Sequence, residues 1–73
     1  MNLRDIKTGM RVTSAPELRG TAGMLVARAE LDARRPNTPG VIVGMYPGHG
    51  GDLWAVRHED GSVAAYMYSE LEG

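Results

Sequence analysis

Glycine and proline constrain this chain more than any other feature. Ten Gly and four Pro in 73 residues interrupt the sequence at short intervals, and brief β-branched or aromatic runs lie between them. That pattern belongs to an all-β chain with tight turns. Five runs read as strands: "GMRV" (9–12), "TAGMLVARAE" (21–30), "GVIVGMY" (40–46), "DLWAVRH" (52–58) and "SVAAYMY" (62–68). The expected architecture is a single domain over residues 1–73, a small SH3-like barrel of about five antiparallel strands.

The turns between the last three runs have physical reasons. "PGHGGD" (47–52) holds three glycines, which take positive φ without strain, so a reversal there costs little. "EDGS" (59–62) carries Asp60-Gly61, the dipeptide preferred in two-residue hairpin loops, which predicts antiparallel pairing of 52–58 with 62–68. The stretch "GMLVARAELDARR" (23–35) is the ambiguous one. Met24 and Val26 suit a strand, while Ala, Leu, Arg and Glu favour a helix. We read it as a strand running into a polar, mobile loop at 32–40, with a short helix as the alternative. Arg34 and Arg35 are expected at the solvated tip of that loop. "SELEG" at the end reads as one helical turn or a frayed terminus.

A chain of this length buries only about 60% of the surface its unfolded form exposes. It has no Cys for a disulfide staple, and the spacing of its His, Asp and Glu suggests no structural metal. Self-association into a dimer or tetramer is then the expected source of extra stability. The strand faces agree: Val41, Val43 and Met45 oppose Ile42 and Tyr46, Leu53 and Ala55 oppose Trp54 and Val56, and Val63, Ala65 and Met67 oppose Ala64, Tyr66 and Tyr68. Neither side of these runs is polar, and one small interior cannot take both. A partner subunit is the simplest cover. Tyr46, Trp54, Tyr66 and Tyr68 are the expected interaction surface, since aromatics give large contact area at low entropic cost.

Charge narrows the partners. Eight basic and nine acidic residues leave a formal net charge of −1, and neither sign gathers in a block, so nucleic acid is a disfavoured partner. No run of apolar residues is long enough to span a membrane. The N-terminal "MNLRDIKTG" resembles no export signal, so a soluble, cytoplasmic protein is expected.

With these strands in place, residues 9–12 and 40–72 resemble the plasmid- and integron-borne type II dihydrofolate reductases. "GVIVGMY" is similar to that family's glycine-x-isoleucine-valine-glycine-aromatic-tyrosine strand, with Met45 at the aromatic position. "LWAVR" and "GSVAAY" resemble the two strands that follow, and "ELE" closes the match. The resemblance implies an SH3-like barrel, a homotetramer around a pore, and NADPH as cofactor with Ser62, Val63, Ala64, Ala65 and Tyr66 as its contacts. The sequence departs from the family where the chemistry lies. Ala64 and Ala65 stand for the glutamine and isoleucine of the site motif, and Thr13 or Ser14 falls where the pore lysine belongs. Methyl groups cannot replace the hydrogen bonds of an amide.

No other chemistry stands out. His49 and His58 have only Asp52, Glu59 and Asp60 nearby and do not make a metal motif. The serines lack a His–Asp arrangement, and "PGHGGD" lacks the lysine of a phosphate-binding loop. No catalytic residue and no cofactor is assigned. The expected function is a small oligomeric SH3-like binding module, a mobile-element accessory protein related to the type II reductases, whose ligand the sequence does not name. An NADPH-dependent dihydrofolate reductase is the alternative. A nucleic-acid-binding SH3-like module, with a strip formed by Arg19, Arg28, Arg34 and Arg35, is the third reading.

Overall fold

The computed structural model describes residues 6–73. They form a small all-β fold: β1 (Arg11–Ser14), α1 (Arg28–Asp32), β2 (Pro39–Met45), β3 (Leu53–His58), β4 (Val63–Met67), a 3-10 turn (Tyr68–Glu70) and β5 (Leu71–Glu72). The strands make one open antiparallel sheet in the order β4-β3-β2-β1-β5. The five-strand, antiparallel expectation holds, but the strands are not all the expected ones. Residues 21–30 supply no strand, and the fifth place is taken by Leu71–Glu72, which pairs with Thr13 and Ser14.

The stretch 21–30 is corrected for a physical reason. Thr21 to Met24 closes a turn through the Met24 N–H and the Thr21 carbonyl, with Gly23 at φ +86°. This reverses the chain instead of launching an extended run. The helical alternative then prevails from Arg28, where the Glu30 side chain accepts from the Ala27 N–H. Helix α1 is short, since Pro36 lacks an N–H and biases the preceding residue away from helical geometry.

The hairpins form where expected. In the turn at 47–51, Gly48, Gly50 and Gly51 all have positive φ, and β2 then pairs with β3. The β3–β4 hairpin differs in detail from the two-residue loop expected. The His58 N–H donates to the Ser62 carbonyl and the Gly61 N–H to the His58 carbonyl, with Gly61 at φ +87°. This is a three-residue loop, Glu59 to Gly61, whose last residue is left-handed.

The core lies on one face of the sheet. Val12, Ile42, Val56, Ala64, Tyr66 and Leu71 form it, with Ile6, Met10, Leu18, Ala33, Trp54 and Tyr68 packed against it. Gly40 is required for this packing. A Cβ there would sit 2.5 Å from Val56 Cγ1 and 2.8 Å from the Arg57 carbonyl oxygen.

The chain itself supplies much of the cover that the sequence assigns to a partner. The 15–38 connection folds back on the sheet, with α1 against β4 and Leu18 and Ala33 on the core. Ala65, on the face of β4 away from Ala64, is completely buried. Among the described residues the exposed large apolar side chains are Leu25, Val43 and Met45.

Candidate functional site

Two polar features rise out of this fold, one buried and one exposed. The buried one ties the 15–38 connection to the sheet. Glu70, 1% exposed, accepts from both Arg34 Nη atoms at 2.9 and 2.6 Å, from the Met67 N–H at 2.9 Å and from the Arg19 N–H at 2.6 Å. Arg34 also donates to the Ala65 and Arg19 carbonyls, and its guanidinium lies 5.4 Å from the centre of the Tyr66 ring. Burial alone pushes the Glu70 carboxyl up; the hydrogen bonds from Arg34 and the two backbone N–H groups outweigh it and hold the group below its ordinary range.

Beside this pair runs a second chain of hydrogen bonds. His58 Nδ1 lies 2.8 Å from the Pro39 carbonyl, an acceptor only, so Nδ1 carries the proton. His58 Nε2 then accepts from the Tyr66 hydroxyl at 2.7 Å, and that hydroxyl accepts from the Arg35 N–H at 2.8 Å. The Ser14 hydroxyl accepts from the Thr38 N–H, and Ala15 accepts from the Asn37 N–H. Every buried side-chain nitrogen and oxygen among the described residues has a partner. Groups engaged this fully fix a structure.

This geometry corrects the reading of Arg34 as a solvated loop tip, for its side chain is only 5% exposed. Arg35 is half-exposed and pairs with Asp60 at 2.7 Å. The Ser62 hydroxyl and N–H, followed by Arg35, hold the Asp60 carboxyl far below the usual carboxylate range. Arg28 pairs with Asp32 along α1, so three of the four arginines in the expected basic strip are ion-paired.

The residues picked out in the sequence scatter. Ala64, Ala65 and Tyr66 are fully buried, and Ser62 is held by Asp60. Val63 is half-buried. As a single chain, this stretch shows a cofactor little beyond Val63 and Ser62. Of the expected aromatic surface, Tyr66 is a core residue, and Trp54 and Tyr68 pack against the core. The Trp54 indole N–H donates to the Gly51 carbonyl at 2.8 Å. The Tyr46 hydroxyl donates to Glu30 and so holds α1. The four do not form one exposed patch. His49 and His58 lie apart, and among the described residues no three His, Asp or Glu side chains gather as metal ligands.

The exposed feature is on the other face of the sheet. Since Val12, Ile42 and Val56 point into the core, Arg11, Val41 and Arg57 point away from it. The register places Arg11 opposite Val41 and Val41 opposite Arg57, so the two arginines stand two strands apart, about 10 Å. Both are exposed, and neither has an ion-pair partner among the described residues. A groove of about 540 Å³ opens along these strands, with Thr13, Gly40 and Glu59 also in its walls. Strand alternation was the signal for them: "MRVT" and "AVRH" each set an arginine beside a core valine, at the outward position.

No family model, no curated protein and no solved structure matches this chain.

Proposed function

We propose that the protein is a non-catalytic binding module that holds an acidic segment of another protein in the groove along β1, β2 and β3. The observation that carries this reading is the row Arg11–Val41–Arg57, two cations with no ion-pair partner among the described residues flanking an apolar side chain on an otherwise firmly built sheet. Guanidinium groups bind carboxylates through paired N–H donors, and Val41 suits an apolar neighbour of the acidic residue. A nucleic acid, charged at every residue, fits less well. Glu59 lines the same groove, the chain's net charge is −1, and Arg28, Arg34 and Arg35 are already neutralised.

Fluorescence anisotropy with a labelled peptide of alternating Glu and Val tests the proposal. Binding should weaken as salt rises, and Arg11→Glu with Arg57→Glu should abolish it. An exposed ion pair contributes about 0.2–1 kcal/mol, so each single Arg→Ala change should weaken binding by about 1.4- to 5-fold. Undiminished binding by the double charge reversal would refute the groove.

The reading extends to self-association through β2, where Val43 and Met45 remain 37% and 53% exposed. A chain this short gains stability from a second copy. Light scattering should give a mass above that of one 7.9 kDa chain, and Met45→Glu should return it to the monomer mass. A monomer at high micromolar concentration for the unaltered protein would remove this part of the reading.

A further inference from the structure

Both histidines fasten the 15–38 connection to the rest of the molecule, and both do so through Nε2. His49 Nδ1 faces the Pro47 carbonyl at 3.1 Å, which fixes the proton on that nitrogen. Its Nε2 then accepts from the Leu25 N–H at 3.2 Å. His58 repeats the arrangement with Pro39 on Nδ1 and the Tyr66 hydroxyl on Nε2, and that hydroxyl receives the Arg35 N–H. Leu25 and Arg35 flank α1, so the two rings grip the connection on both sides of its helix.

We propose that His49 and His58 form a proton-sensitive latch that holds residues 15–38 on the sheet when neutral and loosens them when the rings take up protons. The two halves fail for different reasons. A protonated His49 presents an Nε2–H to the Leu25 N–H; two donors then face each other and the bond is lost. At His58 the hydrogen bonds can rearrange, because the Tyr66 hydroxyl can accept from Nε2 and turn its own proton to the Arg35 carbonyl, 3.1 Å away. The cost there is burial of a cation. His58 is 3% exposed, and both its ring contacts, Pro39 and Tyr66, are neutral.

The charged groups around it bring no relief. Arg34 lies over the Tyr66 ring and adds a like charge, while Glu70 is already committed to Arg34. Arg35 is committed to Asp60, and Glu59, next in the chain, is exposed. An isolated buried charge is costly. Among the described residues the His49 ring pairs with the Pro47 carbonyl and the Leu25 N–H, and no carboxylate bonds to it.

Amide hydrogen exchange of the whole chain by NMR, corrected for the intrinsic pH dependence of exchange, tests the latch. The pH is stepped from 7.5 to 5, the range in which imidazole side chains in general change charge and in which Glu70, held below the ordinary carboxylate range, stays ionised. Protection at Leu25 and Arg35 should fall by about tenfold across that range, the measure of a local opening. Protection at Ile42 and Val56 in the sheet core should hold. His49→Gln keeps an acceptor for the Leu25 N–H and should make its protection independent of pH, while the response at Arg35 persists. Unchanged protection at both amides from pH 7.5 to 5 would overturn the proposal. So would an equal response at Leu25 in His49→Gln.

Discussion

Removal of the Glu70 carboxylate should nearly unfold the protein. In Glu70→Ala the Arg34 guanidinium loses its counter-ion while its side chain remains 5% exposed, and the Met67 and Arg19 N–H groups lose their acceptor. Loss of one partner from a buried ion pair costs about 3–5 kcal/mol, and each N–H left unpaired in the interior adds about 1–3 kcal/mol. At about 0.05–0.15 kcal/mol per residue, a chain of 73 residues has about 4–11 kcal/mol of stability in total. Urea unfolding followed by Trp54 fluorescence is the assay, with Arg34→Met and the double variant alongside. Each single change should cost 3 kcal/mol or more by the same reasoning. The double variant should lose clearly less than the sum, because it removes the stranded charge. A loss below about 1 kcal/mol in Glu70→Ala, or strict additivity in the double variant, would refute the view that this pair anchors the connection.

Three further outcomes follow from the same contacts. Gly40→Ala should destabilise by about 1–3 kcal/mol through overpacking, because the new methyl meets Val56 and the Arg57 carbonyl; a thermal melt within a degree of the parent would contradict this. Tyr66→Phe strands His58 Nε2 and the Arg35 N–H and should cost about 1–3 kcal/mol, a neutral result in urea being the adverse one. Glu70 is held below the ordinary carboxylate range when folded, so its contribution is present above that range and lost as pH falls through the folded value. Urea unfolding repeated at falling pH should show stability declining below about pH 4, the reference range for Glu, and an unchanged midpoint from about pH 7 to about pH 3 would contradict this.

The hairpins were legible in the sequence because their determinants are local. "PGHGGD" and Asp60-Gly61 specify reversals by backbone chemistry alone, and the flanking runs pair as their alternation suggests. The connection was not legible, because what organises it lies far away in sequence. Arg34 meets Glu70 across 36 positions, and Arg35 meets Tyr66 across 31. Nothing beside Arg34 in "DARRPN" shows that its charge will be buried, and "SELEG" gives no sign that its first glutamate is an acceptor for four donors. Apolar side chains do stand on both faces of the strands, but part of their cover comes from the chain's own connection. That shifts the candidate site from the aromatics to the arginines. Tyr66 looked like a surface residue until its hydroxyl found His58 and Arg35, whereas Arg11 and Arg57 sit at outward strand positions that alternation alone marks.

Under the proposed function, ligands meet this protein on the outer face of β1, β2 and β3. The direct measurement is an NMR titration of labelled protein with the Glu–Val peptide. Shift changes should cluster at residues 11–13, 39–41 and 57–59 and leave residues 62–66 unmoved. Changes centred on 62–66 or on Tyr46 and Trp54, with Arg11 and Arg57 silent, would contradict it.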